Sequence, residues 1–420
     1  MKKKEQAPKT YDIEEYRRKK KREKWLHRLL RVGALLLILS AIVGGIYLYQ
    51  RYDLEQILKN AAEYCVTTLK NAAEGTGTNN PTAGSMQTTS FPVALDAVEP
   101  IDILSFGDSV VLLTSDETAL LDASGKTSFQ FVHGFTNPVV KTGNDRVLTY
   151  DRGGYGFRLD SRQGNLYAGR TSNTILTGAS GHGAVFALVT TEPHYAGSVT
   201  VYNKVGEELL KWSSSDSIVD VAFSPDDSRL AVACVSFDTA GDLVAAVHVL
   251  DIRKEEEVAA PSVIDAIPVA VDYKKDGEIH LVCDSLLAVV DKELKNGKTV
   301  GYSRQLQGYA FSETETVLST SDSHEVESTL LIVSSEGELR SQTVRGSVKD
   351  LSAESGNICL LTASDVRKYD GTGVLTESDR ISNSVFKMEL SGGKIYILSK
   401  SYLDVLKQEE TSSVGSEGTN

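Results

Sequence analysis

Four polar segments of the chain carry aromatic, charged and imidazole side chains that could bind a ligand. These segments are TYDRGGYGF at 149–157, VTTEPHYAGSV at 189–199, VSFDTAGDLV at 235–244 and STSDSHEVEST at 319–329. Aromatic side chains next to charges on exposed loops are typical of recognition surfaces. The predicted binding residues are Tyr150, Arg152, Tyr155, Glu192, His194, Tyr195, Phe237, Asp238, His324 and Glu325. The alternative is that these segments are solvated loops that tolerate insertion.

The sequence contains none of the common catalytic or metal-binding motifs. There is no HExxH, CxxC, GxSxG, P-loop or EF-hand pattern. Glu192 and His194 could form an acid and base pair, but nothing places a nucleophile beside them. The apolar runs around Cys234, Cys283 and Cys359 predict buried free thiols rather than disulfides or a metal site. We therefore expect no catalytic residue, no cofactor and no metal.

The elements that must position the four segments are short strands in a repeat. From residue 91 onward, alternating or β-branched runs recur between Gly, Asp, Asn and Ser, which predicts an all-β domain. Each repeat has a strongly apolar second strand and a third strand that ends before a polar marker residue. The markers are Asp122, Asp160, Asn203, Asp251, Asp291, Ser334, Asp370 and Lys407, at intervals of 38, 43, 48, 40, 43, 36 and 37 residues. A period near 40 with four strands per unit predicts a β-propeller.

The repeat count predicts eight blades, with seven as the alternative because the first and last units are the weakest. The last unit lacks a clear fourth strand, and the segment FPVALD at 91–96 could supply it. Such an arrangement would close the ring and leave no open sheet edge.

A different kind of segment lies near the N-terminus. Residues 32–49, VGALLLILSAIVGGIYLY, contain no charge, and Arg31 and Arg51 flank them. This length and composition predict a transmembrane signal-anchor helix over 32–50, in contact with the lipid bilayer. Residues 1–31 carry a net charge of +8, and the rest of the chain carries −21. The asymmetry predicts a single-pass protein of the cell membrane, with a cytoplasmic N-terminus and an extracellular C-terminal domain. The acidic domain also argues against nucleic-acid binding.

Four segments complete the predicted organisation. Residues 51–74 form a predicted helical stalk, whose short heptad pattern allows a weak homodimer as the alternative to a simple stalk. Cys65 lies on that seam, where we expect a small apolar residue rather than an intermolecular disulfide. Residues 75–90 are a predicted flexible linker, 91–410 the propeller and 411–420 a disordered tail.

The segment VDVAFSPDDSRLAVACV at 219–235 resembles the inner-strand motif of WD40-like and TolB-like propellers. The chain has no Gly-His and Trp-Asp pairs, so the WD40 hydrogen-bond tetrad is not implied. The whole layout resembles an uncharacterised family of membrane-anchored propeller proteins of Gram-positive bacteria, and this resemblance implies no known function.

These observations favour a membrane-tethered, non-enzymatic binding scaffold for an envelope protein or a cell-wall polymer. Two alternatives stay open. One is an extracytoplasmic hydrolase or lyase with a site dispersed over the propeller mouth. The other is a transmembrane sensor, although a flexible linker transmits a conformational signal poorly.

Overall fold

The computed structural model describes residues 88–95, 98–183, 185–322 and 327–406. Every helix or strand within these ranges is a β-strand, and they contain no helix that could cross a membrane. The predicted membrane helix at 32–50, the stalk at 51–74 and the tail at 411–420 lie outside the described residues, as do His324 and Glu325.

The strands form eight antiparallel sheets, each of which is one blade of a propeller. Blade 1 contains β2 (Pro100–Phe106), β3 (Ser109–Thr114), β4 (Glu117–Leu121) and β5 (Thr127–Val132). Blade 2 contains β6 (Pro138–Thr142), β7 (Val147–Asp151), β8 (Gly156–Ser161) and β9 (Gly164–Arg170). Blade 3 contains β10 (Ile175–Ser180), β11 (Val185–Glu192), β12 (Tyr195–Asn203) and β13 (Glu208–Ser214). Blade 4 contains β14 (Ser217–Phe223), β15 (Arg229–Phe237), β16 (Leu243–Asp251), β17 (Glu256–Ala259) and a fifth strand, β18 (Ser262–Ile264).

The second half of the ring repeats this arrangement. Blade 5 contains β19 (Pro268–Tyr273), β20 (Ile279–Cys283), β21 (Leu286–Val290) and β22 (Asn296–Gly301). Blade 6 contains β23 (Gln305–Phe311), β24 (Glu315–Ser321), β25 (Glu327–Ser334) and β26 (Leu339–Arg345). Blade 7 contains β27 (Asp350–Glu354), β28 (Asn357–Leu361), β29 (Asp365–Asp370) and β30 (Leu375–Arg380). Blade 8 contains β31 (Val385–Ser391), β32 (Lys394–Ser399), β33 (Tyr402–Val405) and β1 (Val93–Ala94).

The prediction of eight blades is therefore confirmed, and so is the way the ring closes. β1 pairs with β33 through Val93 opposite Leu403 and Ala94 opposite Tyr402. The amide of Leu95 then donates a 2.9 Å hydrogen bond to the carbonyl of Ser401. The last blade thus takes its outer strand from the start of the domain, so that β33 is not left as an unpaired edge.

The core consists of apolar layers between neighbouring blades. Each of the eight blade interfaces is filled by its own hydrophobic cluster. The second strands are the most buried elements, and all six residues of β3 are buried. A single sheet cannot bury both of its apolar faces alone, so the blades stabilise one another by stacking.

The marker residues after the third strands are turn-capping residues. The Oδ1 atom of Asp370 accepts hydrogen bonds from the amides of Thr372 (2.9 Å) and Val374 (3.0 Å). The equivalent atoms of Asp122, Asn203, Asp251 and Asp291 accept from turn amides in the same way. Such Asx turns satisfy amides that the sheet leaves unpaired. Asp160 differs, because it is buried and binds the Arg158 guanidinium at 2.8 Å.

Candidate functional site: the upper face and central channel

The propeller has two faces that differ in their connections. We call the face that carries the second-to-third strand turns and the blade-to-blade connections the upper face. The first-to-second and third-to-fourth strand turns lie on the opposite, lower face. The four predicted segments are second-to-third connections, so the upper face is where the predicted binding residues fall.

Within the described residues, the longest second-to-third strand ladders belong to two neighbouring blades, 3 and 4. In blade 3, β11 and β12 pair as far as Glu192 opposite Tyr195. In blade 4, β15 and β16 pair over nine residues, as far as Phe237 opposite Leu243. The predicted long loops of these blades are therefore mostly extended β-ladders with short tips. A ladder holds its tip more rigidly than an open loop of the same length would.

Local backbone chemistry forms the two hairpin tips. His194 adopts a left-handed conformation with φ of 71° and closes the blade 3 tip. In blade 4, Asp238 Oδ1 accepts hydrogen bonds from the amides of Ala240 (2.8 Å) and Asp242 (3.0 Å). His194 and Asp238 thus shape the tips and leave the neighbouring aromatic side chains, Tyr195 and Phe237, free to contact a partner.

The aromatic side chains at these tips are exposed to solvent. Tyr195 is 54% exposed and Phe237 is 71% exposed. On blade 2, Arg152 and Tyr155 are also exposed, and the Arg170 guanidinium lies 5.8 Å from the centroid of the Tyr155 ring. The predicted residues of blades 2, 3 and 4 consequently share one side of the upper face.

Tyr150 is a correction to the predicted set. We expected it on the exposed rim, but its side chain is fully buried in the cluster between blades 2 and 3. It lies in β7 before the turn begins, and its hydroxyl is 3.5 Å from the Thr177 hydroxyl. Alternation along the strand directs it into the interface, so Tyr150 supports the fold rather than the rim.

Glu192 also has a partner other than the one considered from the sequence. Its Oε2 atom lies 3.0 Å from Lys211 Nζ and accepts a 3.0 Å hydrogen bond from the Ser198 hydroxyl. The hydrogen bond from Lys211 is the main cause that lowers the pKa of Glu192. No ion pair joins Glu192 to His194 within the described ranges, so these two residues do not form the acid and base pair considered above.

Sequence reasoning missed an apolar extension of the rim on blades 4 and 5. β18 adds to β16, with Ile264 opposite Val244, and leaves Ile264 exposed. Ile267 and Val269 are exposed nearby, where the chain enters blade 5. In the sequence these residues form part of SVIDAIPVA, a run that resembles an ordinary buried strand. We define the upper-face patch as Tyr195, Phe237, Ile264, Ile267 and Val269.

A second feature of the upper face is a polar cavity of about 390 Å³ in the central channel. The first strands of blades 1, 6, 7 and 8 line it. Lys387 Nζ lies 3.3 Å from Asp102 Oδ1 and 3.8 Å from Asp350 Oδ1, and so joins three blades. One ammonium thus faces two carboxyl groups, and Glu389 follows on the same face of β31.

Glu389 is the most strongly perturbed acid of this cavity. Its Oε1 accepts a 3.0 Å hydrogen bond from the Ser105 amide, and the Ser352 hydroxyl lies 3.3 Å from its Oε2. Burial, with a smaller repulsion from Asp350, raises the pKa of Glu389 to about 8. A carboxyl group with such a pKa can hold a proton at neutral pH and release it to a base.

The cysteines lie where the sequence predicted. Cys234, Cys283 and Cys359 are buried free thiols on the second strands of blades 4, 5 and 7. Burial raises the pKa of each thiol to about 12, so none is a reactive thiolate. In the part of the chain that the structure describes, no group of three His, Cys, Asp or Glu side chains could hold a metal ion.

Comparison with known proteins agrees with this architecture. A family model described as "Family of unknown function (DUF5711)" matches residues 93–407, which is the propeller. The chain belongs to the DUF5711 family. A search of curated proteins found no match.

Solved propellers resemble this DUF5711 chain in fold. BamB from Moraxella catarrhalis has a TM-score of 0.54 at 11% identity, over 77% of this chain and 98% of BamB. Sqt1 from Chaetomium thermophilum, solved bound to the N-terminus of ribosomal protein L10, has a TM-score of 0.53 at 14% identity. That match covers 74% of this chain and 97% of Sqt1. At these identities the similarity establishes the propeller fold.

Proposed function

We propose that this DUF5711 protein is a non-enzymatic binding scaffold that holds another protein on its upper face. The observation that carries the proposal is the upper-face patch, in which Tyr195 and Phe237 are exposed at the tips of two adjacent, well-ordered hairpins. Rigid aromatic anchors lose little conformational entropy on binding and are enriched where binding energy concentrates. A soluble protein gains no stability from exposing them.

A protein partner fits this surface better than a charged polymer. The patch is apolar, and its exposed members lie at or near strand ends on three neighbouring blades. The propeller of Sqt1, which has the same general fold, was solved with a protein segment bound to it. This likeness in fold supports a protein partner without identifying it.

The scaffold is also proposed to be tethered to the cell membrane. The support lies in the uncharged run at 32–49 and in the net charges of +8 before it and −21 after it. The positive-inside tendency favours a cytoplasmic location for residues 1–31 and an extracellular propeller, with residues 51–90 as the proposed stalk and linker. The partner would then be another protein of the cell envelope.

In-cell photo-crosslinking from position 195 tests the proposal. A matched control is position 205, because Val205 is 55% exposed on the same blade but lies in a third-to-fourth strand turn of the lower face. We expect a discrete crosslinked protein from position 195, a similar one from position 237, and none from position 205. Equal labelling from 195 and 205, or no protein from either upper-face position, would contradict the proposal.

A second candidate function is an extracytoplasmic hydrolase or lyase, and Glu389 is the observation that favours it. A carboxyl group with a pKa of about 8 in a polar channel is suited to general acid catalysis. Turnover of cell-wall fragments by the full chain, abolished by Glu389→Gln but retained in Tyr195→Ala, would establish the enzyme. Absence of turnover together with a crosslinked partner would favour the scaffold.

A further inference from the structure

A cleft of about 550 Å³ opens on the lower face between blades 4 and 5. Its blade 4 wall is the turn of the motif AFSPDDSRL, which the upper-face function does not use. The basic side chains of Arg229, Arg253, Lys254 and Lys275 line the cleft, and Tyr273 of β19 lies beside them. Asp226, Asp251 and Asp276 line it as well, so four basic side chains face three acidic ones. This balance differs from that of residues 32–420, which carry a net charge of −21.

The carboxylates of the cleft are already occupied. Asp226 Oδ1 accepts hydrogen bonds from the hydroxyls of Ser224 (2.7 Å) and Ser228 (2.8 Å), which lower the pKa of Asp226 to about 2. Asp251 caps its own turn and lies 3.4 Å from Lys254 Nζ. Asp276 lies 3.5 Å from Lys292. These acids therefore have internal partners and do not need the two arginines.

The two arginines of the cleft have no such partners. Neither the Arg229 nor the Arg253 guanidinium has an ion pair or side-chain hydrogen bond with any residue that the structure describes. Arg229 is partly buried, which makes an unpaired charge there costly without a counter-ion. The cleft thus offers two planar, multi-donor groups at one opening.

An independent observation points to a ligand at the same place. Tyr273 is more than nine-tenths buried, and its hydroxyl has no hydrogen-bond partner within the described ranges. Burial raises the pKa of Tyr273, the charge of Arg229 partly opposes that shift and the charge of Asp226 adds to it. The hydroxyl therefore stays protonated and lies within the field of Arg229. A buried hydroxyl is normally hydrogen-bonded, and an acceptor in the cleft would satisfy it.

We infer that this cleft binds a phosphate group. A tetrahedral phosphate presents acceptor oxygens in several directions, so it can accept hydrogen bonds from Arg229, Arg253 and the Tyr273 hydroxyl together. A carboxylate presents only two acceptor oxygens. The motif positions these donors: Asp227, with φ of 56°, turns the chain and accepts hydrogen bonds from the blade 3 amides of His182 and Gly183. The site lies on the face opposite the upper-face patch and does not depend on the proposed scaffold function.

Isothermal titration calorimetry of the purified full chain with sodium phosphate tests the inference, with sodium chloride at equal ionic strength as the blank. We expect saturable binding of one phosphate. Arg229→Gln should weaken it about tenfold or more, since it removes a charge-assisted contact. Tyr273→Phe, which keeps the ring, should weaken binding severalfold without lowering the melting temperature. This second variant covers the case in which Arg229→Gln fails to fold.

Arg345→Gln is the matched control, because it removes the same charge from an exposed outer strand of blade 6. It should leave phosphate binding unchanged. Equal weakening by Arg345→Gln and Arg229→Gln, or no saturable binding to the wild-type chain, would overturn the inference. A parallel titration with glycerol phosphate distinguishes the source: tighter binding than orthophosphate indicates an ester carried by a polymer or lipid, and weaker binding indicates free phosphate.

Discussion

Two lysines on the inner side of the ring hold their ammonium groups in different ways. Lys274, at the end of β19, is fully buried between blades 5 and 6. Its ammonium donates to Asp272 Oδ2 at 2.9 Å and to the carbonyls of Ser312 and Glu315 at 3.0 Å each. Burial lowers the pKa of Lys274, even though Asp272 opposes the shift.

Lys387, in contrast, has a side chain that is 38% exposed in the channel. Burial opposes its charge, but Asp350 and Asp102 outweigh that effect and raise the pKa of Lys387. Its neighbours are carboxylates that line an open cavity rather than carbonyls of an adjacent blade. An ammonium has three donors, and those of Lys274 are all used within the fold, whereas Lys387 remains accessible to solvent and ligands.

The difference separates charges that hold the propeller together from charges that can serve a ligand. A buried charge that satisfies neighbouring carbonyls acts as a structural clamp, and its removal leaves polar atoms without partners. A charge in an open cavity can be replaced by water at little cost. Burial and partner type therefore assign Lys274 to stability and Lys387 to the candidate site.

The largest expected effect is that of Lys274→Met, which tests the structural side of the comparison. It leaves the carbonyl of Ser312 without its buried donor, whereas the carbonyl of Glu315 keeps the 2.9 Å hydrogen bond from the Ser312 amide. The partly exposed Asp272 can be hydrated. We expect the free energy of unfolding to fall by about 2–4 kcal/mol in urea denaturation. Lys275→Met is the control, since the adjacent Lys275 is exposed and forms only a surface pair with Glu313, so its loss should cost less than about 1 kcal/mol. Equal effects would show that Lys274 is no clamp.

A smaller effect on stability is expected from the ionisation of Glu389 as the pH rises. Its pKa is about 8 in the folded chain, against an ordinary value of 4.5. The folded chain then holds a proton that the unfolded chain releases, so stability is greatest at low pH and falls between about pH 4.5 and pH 8. Because Glu389 stays partly exposed, we expect a loss of about 1–3 kcal/mol over this window.

Glu389→Gln should flatten that part of the stability profile and raise stability at pH 8 relative to the wild-type chain. Asp350, whose pKa is also raised by burial, should keep part of the slope in the variant. Urea denaturation at several pH values measures both profiles. Identical slopes would show that Glu389 is ionised normally and would remove the basis for an acid in the channel.

For Lys387→Met, which changes the lysine of the candidate site, we expect a still smaller effect on the free energy of unfolding. The ion pairs with Asp102 and Asp350 face an open cavity, so their loss should lower the free energy of unfolding by less than about 1 kcal/mol at pH 7. The variant should also raise the pKa of Asp350 further, because Lys387 is the main group that lowers it against the effect of burial. An NMR titration of the carboxyl carbons can follow this shift. A stability loss as large as that of Lys274→Met would remove the distinction between the two lysines.

The blades could be predicted from the sequence because each repeat contains its own strand and turn signals. The side chains that line the channel could not be predicted in this way. Asp370 marks the end of a third strand, since the turn after it needs an acceptor for its amides, and such signals recur locally in the sequence. Lys387 and Glu389 alternate with apolar residues and resemble a solvent-facing strand edge. Stacking of consecutive blades brings Lys387 to Asp350, and only closure of the ring brings it to Asp102 near the other end of the propeller.

Prediction of the rim residues from the sequence met a similar limit, here within a single loop segment. The segment around Tyr150 leads into a second-to-third strand turn of the upper face, but loop length alone did not tell where the strand ends and the turn begins. Tyr150 falls one residue within β7 and points into the blade interface, while Tyr195 begins a strand at a hairpin tip. The strand boundary therefore decides which tyrosine reaches the solvent, and element boundaries are the least predictable feature of a strand pattern.

The smallest effect on stability is expected for Tyr195→Ala combined with Phe237→Ala. Both side chains are exposed, so the double variant should change the free energy of unfolding by no more than about 0.5 kcal/mol. It should nonetheless abolish co-purification of the partner identified by crosslinking, because such aromatic anchors supply most of the energy at an interface. Val205→Ala, an equally exposed change on the lower face, should preserve both stability and partner. If the double variant unfolded the propeller, Tyr195 and Phe237 would stabilise the fold, as Lys274 does. If it retained the partner, the binding surface would have to lie elsewhere on the upper face, and the channel mouth around Lys387 would be the next region to substitute.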